Sequence, residues 1–339
     1  MRVCVFGAGA VGGHLAARLL QAGRHEVSVV ARGEQLRAIG ADGLTLLSRD
    51  EQFTVRPHAT TDRPQDLPAQ DVVFVSMKAQ SQPAAARDIA GLLAPTGVTV
   101  FVNNGIPWWW TYRGAEAPGT PLPLLDPLAA LWTHVGPQRA LGCVIYSANE
   151  VVRPGVIRHV ANNRWLLGEP DGTRSARLAA VIALLNAAQL QAEAVADIRK
   201  SAWTKLLRNV PLNSLCALTR LPVSGLARVP ELEALCAGIV EEVAAIAAAD
   251  GTDLSDQVEI AKAAPRLGAA TDGSQAAEIR PSMLQDVLGG RTMEVEAILG
   301  QVQAFARATG TPCPRLDVLV ALVRGLELSA LTPEAAARR

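Results

Sequence analysis

The hexapeptide Gly7-Ala8-Gly9-Ala10-Val11-Gly12 constrains the fold of this chain more than any other stretch. It ends an apolar run, residues 2–7, and opens a segment of helical periodicity, residues 10–23. G-x-G-x-x-G set between a strand and a helix is a dinucleotide-binding turn. Gly7 permits the tight turn, Gly9 lets the backbone approach a pyrophosphate, and Gly12 lets the helix pack closely on the strand. Ala8, Ala10 and Val11 contribute backbone N–H groups at the positive end of the helix. Gly23 reads as the C-cap of that helix.

The pattern continues as alternating strands and helices. Residues 26–32, 71–77 and 97–103 are further runs of buried-strand type, the last two separated by a helical segment. This rhythm predicts a parallel sheet with helices on its faces. Residues 141–151, 155–160 and 164–168 read as additional strands, some of them antiparallel. From Asp197 onward only helical patterns follow, at 198–219, 231–250, 253–264, 281–308 and 314–328. The expected architecture is α/β: an N-terminal Rossmann-type doubly wound sheet, residues 1–196, and an all-α domain, residues 197–328. Residues 329–339, ending in EAAARR, read as a flexible tail.

Composition narrows the function. Lys+Arg and Asp+Glu both number 32, which argues against a nucleic-acid or anionic-membrane partner and leaves room for a local basic pocket. The five cysteines are scattered and odd in number, with no CxxC pair and no histidine cluster beside them. They are expected to be reduced thiols of a cytoplasmic protein, and no metal site is expected. The apolar stretch 232–249 carries Glu233, Glu241 and Glu242, which argues against a membrane span.

The end of the second strand selects the cofactor. An NAD enzyme usually places Asp or Glu there to bind the ribose 2′-hydroxyl. This strand ends Val30-Ala31-Arg32-Gly33, and an arginine fork suits a 2′-phosphate, so NADP (as NADPH) is expected. Glu34 stands close by as a competing feature. Ligands of such sheets bind beyond the carboxyl ends of the strands, where Lys78 and Asn104 also fall. A surface lysine and a plain Asn-Gly turn are the simpler readings of those two.

The segment WTKLLRNVPLN, residues 203–213, places Lys205, Asn209 and Asn213 at steps of four. On a helix they form a stripe about 12 Å long. It flanks the apolar arc of Trp203, Leu206, Leu207 and Val210, as cleft-lining groups would, although an amphipathic helix with a polar edge fits as well. Pro211 removes one N–H, and a kink is expected there.

Together FGAGAVGG, SMKAQ, NNG, WTKLLRNVPLN and SMLQDVLGGRTMEVEAILG make the chain resemble the ketopantoate reductase (2-dehydropantoate 2-reductase) family over nearly its whole length. The resemblance implies a Rossmann domain joined to a helical domain like the C-terminal one of 6-phosphogluconate dehydrogenase. It implies an NADP-dependent oxidoreductase that reduces ketopantoate to pantoate for pantothenate and coenzyme A biosynthesis. Lys205 becomes the proton donor, and Glu294 a catalytic and cofactor-contacting carboxylate. Asn209, Asn213, Ser282 and Asn104 become substrate contacts, and the glycine loop, Arg32, Lys78 and Asn104 surround the cofactor. Locally, Ser282-x-x-Gln285 also fits a capping box, and nothing but the resemblance separates Glu294 from Glu296. A homodimer is compatible with the sequence.

Two departures bear on the substrate. Pro222-Val223-Ser224 stands where the family usually has another asparagine, and Trp108-Trp109-Trp110 follows the NNG motif. Three consecutive tryptophans cannot all point inward on one regular element, so one could wall the cleft or the loop could pack at an interface; aromatic packing without ligand contact is the simpler reading. A reductase of another branched or aromatic 2-oxo acid is therefore an alternative. A non-catalytic dinucleotide-binding sensor is the alternative of a different class.

Overall fold

β1 (Arg2–Phe6) is buried from Val3 onward, as a central strand must be when helices cover both faces of a sheet. The computed structural model describes residues 1–267 and 279–330, and contacts divide the chain into one unit ending at Ile198 and a second beginning at Arg199. In the first unit β1 is followed by α1 (Ala10–Ala22), β2 (Glu26–Val30), α2 (Gly33–Asp42), β3 (Leu44–Leu47), β4 (Gln52–Val55) and β5 (Ala59–Thr61). Then come β6 (Gln70–Val75), α3 (Ala86–Leu92), β7 (Leu93–Phe101), α4 (Ala130–His134), β8 (Ala140–Arg153), β9 (Val156–Gly168), α5 (Ala176–Ala187) and β10 (Gln191–Ala194).

The sheet runs β4-β3-β9-β8-β7-β6-β1-β2-β5, with β10 added on β9. From β5 through β2, β1, β6 and β7 to β8 every pairing is parallel. Among these six strands the chain order reverses between β1 and β6, which opens a crevice at their carboxyl ends. This is the doubly wound sheet expected from the sequence. Val3, Val5, Leu15, Leu19, Phe74, Val100 and Trp165 lie in its core.

Two readings of this unit need correction. Residues 155–160 and 164–168 are one strand, β9, paired antiparallel with β8. The break read at 161–163 is a local irregularity, where Asn162 takes φ 58°, a region asparagine tolerates better than most residues. The tryptophans do not divide between inside and outside. Trp108, Trp109 and Trp110 are each 2% exposed. They sit in a turn outside any helix or strand, so no element's periodicity forces one of them outward. Trp108 packs edge-on against Phe101 and Trp132, with ring centroids 5.3 and 6.2 Å away.

The second unit comprises α6 (Ile198–Thr219), α7 (Val223–Leu226), α8 (Pro230–Ala249), α9 (Ser255–Lys262), α10 (Ala264–Leu267) and α11 (Ser282–Leu288). A short π-helix (Glu296–Gly300), α12 (Gln301–Thr309) and α13 (Pro314–Ala330) follow, and none of its described residues forms a strand. The continuous helix expected over 281–308 is interrupted. Gly290 adopts φ 62° after α11, and the Arg291 side chain turns back to Asp286 Oδ1 and the Gln285 carbonyl. Ser329 lies within α13 rather than in a tail, and residues 331–339 fall outside the described residues. Glu242, an acid in the apolar α8, is buried because it caps α13: its oxygens accept from Arg315 N at 3.0 Å and Leu316 N at 2.9 Å. No helix among the described residues is long and apolar enough to cross a membrane.

Candidate active site

The glycine loop joins β1 to α1 at the point where the strand order reverses. Its three glycines answer to three different demands. Gly7 takes φ 107°, which L-residues rarely adopt. A methyl group on Gly12 would collide with the Gly7 carbonyl and Ser76 Oγ. Gly9 has ordinary extended dihedrals, φ −71° and ψ −162°, and a methyl placed there meets nothing within 4 Å. Nothing in the chain itself requires glycine at that position. The N–H groups of the first turn of α1 have no intrahelical partner, since the first such bond runs from Gly13 N to Gly9 O. These features fit a phosphate group resting against Gly9.

Arg32 ends the second strand segment and is the N-cap residue of α2. It is exposed and makes no ion pair among the described residues. Glu34, the competing acid, is instead paired with Arg37. The basic group is thus the one left at the tip of β2, an exposed guanidinium able to pair with an anionic group.

Lys78 and Asn104 follow the carboxyl ends of β6 and β7 and are half-buried. Gln82, only 2% exposed, ties these ends together. Its amide nitrogen donates to Met77 O at 3.0 Å and to Asn103 Oδ1 at 3.2 Å. Ser76 Oγ donates to Gly7 O at 2.5 Å and anchors the glycine loop to β6. The sequence reading gave neither residue a role: Ser76 opens the SMKAQ motif but only its lysine was singled out, and Gln82 belongs to no motif, so both are recognisable by their partners in space.

Beneath the loop, α1 carries His14, fully buried and stacked on His159 of β9 with ring centroids 4.5 Å apart. Neither ring nitrogen of His14 has a hydrogen-bond partner among the described residues. Burial, with help from His159 and Arg18, pushes its pKa down to about 3.

In the second unit, α6 runs unbroken from Ile198 to Thr219 with Pro211 inside it. Trp203 anchors it, donating from its indole nitrogen to Asp250 Oδ2 at 3.1 Å. Lys205 and Asn209 are half-buried, whereas Asn213 is 3% exposed. Asn213 meets Ser282 directly: its Oδ1 accepts from Ser282 Oγ at 3.2 Å and from Met283 N at 3.1 Å. The capping box fails here, because Pro281 occupies the N-cap and Asn213, distant in sequence, satisfies the helix terminus. Asn209 makes no side-chain hydrogen bond among the described residues and keeps its amide available.

The structure also separates the two candidate glutamates. Glu296 is held by Arg324 of α13 through bonds of 2.8 and 2.6 Å. Glu294 immediately precedes this turn, and Glu327, also on α13, accepts from Met293 N at 2.7 Å. α13 thus grips the segment on both sides of Glu294, and the π-helix that follows is a feature common at functional sites. Of the second unit's candidate groups, the Asn213 carboxamide and the Ser282 hydroxyl meet directly; an ammonium, a carboxamide, a hydroxyl and a carboxylate are groups chemically able to bind and protonate an oxygenated small molecule.

A family model described as ketopantoate reductase PanE/ApbA matches residues 3–172, and one for the C-terminal part of the same family matches residues 197–327. The chain is 40% identical over 328 residues to 2-dehydropantoate 2-reductase of Mesorhizobium japonicum, covering 96% of this chain and 98% of that one. Among solved structures it resembles a Ralstonia solanacearum MolK2 protein named provisionally as a ketopantoate reductase, with TM-score 0.88 and 34% identity over 97% of this chain and 98% of that one. A PanE/ApbA family ketopantoate reductase from Ralstonia eutropha JMP134 gives TM-score 0.82 and 27% identity, covering 98% of this chain and all of that one (100%).

Proposed function

Because the chain belongs to the ketopantoate reductase family, we propose that it is an NADPH-dependent oxidoreductase that reduces ketopantoate (2-dehydropantoate) to pantoate. The observation that supports the cofactor half of this reading is Gly9, a glycine that no neighbouring atom demands and that a phosphate resting on the loop would. The glycine loop, Arg32, Lys78 and Asn104 are the residues proposed to hold the dinucleotide. When bound, it supplies a hydride for the substrate's carbonyl carbon.

The remaining chemistry belongs to the chain. As charge gathers on the substrate's carbonyl oxygen, the Lys205 ammonium stabilises it and donates a proton. Glu294 orients that ammonium or a substrate hydroxyl. Asn209 offers a whole carboxamide to the substrate. Asn213 has committed its oxygen to Ser282 and Met283, so its share is to fix Ser282 and to present its NH₂ group. Neutral amides orient the acid without adding a second positive charge to compete with Lys205. The burial of all three tryptophans weakens one of the two sequence grounds for another branched or aromatic 2-oxo acid, the Pro222-Val223-Ser224 departure being the other, and ketopantoate is the reading proposed. Pantoate so formed would feed pantothenate synthesis.

The test is steady-state kinetics with a panel of 2-oxo acids and both nicotinamide cofactors. Ketopantoate with NADPH is expected to give the highest kcat/KM, with at least tenfold preference over NADH, and Arg32→Ala to erode that preference. Lys205→Ala is expected to lower turnover roughly 10²–10⁴-fold. Near-normal ketopantoate reduction by the Lys205→Ala chain removes the proposed acid, and equal use of both cofactors removes the assignment of Arg32.

A further inference from the structure

The glycine loop is held from a second side by a residue that belongs to no recognised motif. Gln35 lies in the first turn of α2, three residues beyond Arg32. Its amide nitrogen donates to Ala8 O at 2.6 Å. Its amide oxygen accepts from Gly155 N, in the β8–β9 turn, at 3.0 Å. The two bonds fix the amide's orientation, since only the nitrogen can serve a carbonyl and only the oxygen can serve an N–H.

We propose that Gln35 is a positioning residue for the dinucleotide: by holding the Ala8 carbonyl it turns the Gly9 N–H toward the phosphate site. The inference rests on the dinucleotide reading given above. Its physical basis is the planar trans peptide, in which C=O and N–H leave from opposite edges. With Ala8 O drawn toward α2, the N–H of Gly9 must face away from α2. Ser76 does the same one peptide earlier, holding Gly7 O at 2.5 Å. Two consecutive carbonyls are thus secured by side chains from different elements, and the amides that follow are set before any ligand arrives. Such preorganisation improves affinity because the loop need not be ordered on binding. It also couples the two ends of the cofactor site. Arg32 and Gln35 share one end of α2, so a shift of that helix displaces the 2′-phosphate group and the pyrophosphate loop together.

The simpler alternative is that Gln35 merely anchors the β8–β9 turn through Gly155. The substitution Gln35→Glu separates the two roles. A carboxylate still accepts from Gly155 N but cannot donate to Ala8 O. Gln35→Met, of similar length, removes both bonds. NADPH binding to each chain is measured by direct fluorescence titration, alongside thermal unfolding without cofactor and the kcat and KM for NADPH. Both substitutions are expected to weaken NADPH binding about tenfold, as a change in KM with kcat nearly unaltered. The Gln35→Glu chain should unfold within a few degrees of the parent. NADPH binding by the Gln35→Glu chain equal to the parent's overturns the inference and leaves the anchoring role. A parent chain that binds neither NADPH nor NADH overturns the dinucleotide reading and this inference with it.

Discussion

At the scale of single residues, the glycine loop separates what the fold needs from what a ligand needs. Gly12 faces the Gly7 carbonyl and Ser76 Oγ, so Gly12→Ala must displace either α1 or β6. Gly9 faces open space. The expected outcome is therefore split. Gly12→Ala lowers stability by about 1–3 kcal/mol, the usual cost of overpacking. Gly9→Val costs no more than the roughly 0.5–2 kcal/mol of a poorer N-cap residue and weakens NADPH binding about 100-fold, because its side chain occupies the phosphate's place. Thermal unfolding and fluorescence titration of the two chains check both halves, and an unimpaired Gly9→Val chain would remove the ground for placing a phosphate there. The sequence motif named all three glycines but could not rank them, since the reason for each lies in a neighbour. The same limit hid Ser76 and Gln82, which are ordinary residues until the ends of β1, β6 and β7 are brought side by side. Glu294 is the opposite case: the resemblance alone names it, and the engagement of Glu296 by Arg324 says only where Glu296 is committed.

At the scale of elements, β1, β2 and β6 were legible because each is a largely apolar run, and β7 only from Gly97 onward, its start at Leu93 being hidden by Pro95 and Thr96; α6, α8 and α13 were legible because each sustains a helical period. β3, β4, β5 and β10 were not, being three or four residues long; β3 and β4 pair with each other across a short turn, while β5 and β10 pair with strands distant in sequence. The start of α11 was misread for a related reason, since its cap arrives from α6. Asn213→Ala leaves Met283 N buried without that partner, which is expected to cost about 1–3 kcal/mol. Ser282→Ala should cost less, because the exposed serine can be replaced by water. Urea unfolding of the two chains orders them, and the reverse order would contradict the capping role. The contact between α1 and β9 makes a prediction of another kind. His14 stays neutral when folded, with a pKa down near 3, but titrates at about 6.5 once unfolded. The unfolded chain therefore gains a proton that the folded chain refuses. This contribution to stability is complete above pH 6.5 and is lost as pH falls toward 3, by about 1.4 kcal/mol per pH unit. Arg18, facing the pair and itself bound to Glu51 at 2.5 Å, opposes protonation further. His14→Phe keeps a ring against His159 and removes the titration. Between pH 7.5 and 5 the parent should lose about 2 kcal/mol more than this variant. Parallel losses in the two chains would mean that His14 accepts its proton without unfolding.

At the scale of the whole molecule, the division into a sheet unit and a helical unit was the most legible feature, because the residue pattern changes character near Asp197 and contacts divide the chain at Ile198. What could not be read was the direction of side chains in irregular segments. The tryptophan run shows why: a rule about alternation governs strands and helices, and Trp108–Trp110 lie in neither. The proposed division of labour can be tested without mutation. If the sheet unit holds the cofactor, NADPH should slow hydrogen exchange most in residues 7–12, 32–36, 76–82 and 103–105, which come from four different strand ends. At a concentration of about 100 times Kd it should add roughly 2.7 kcal/mol to stability. A 2-oxo acid added afterwards should extend protection to residues 205–213 and 280–284, where α6 meets the start of α11. Protection by NADPH that spares the four strand-end segments and appears on α9 or α12 would place the cofactor elsewhere and undo the assignment of the glycine loop. Slowing that follows the oxo acid but never reaches α6 would detach Lys205 from the chemistry while leaving the dinucleotide site intact, so the two halves of the proposal stand or fall separately.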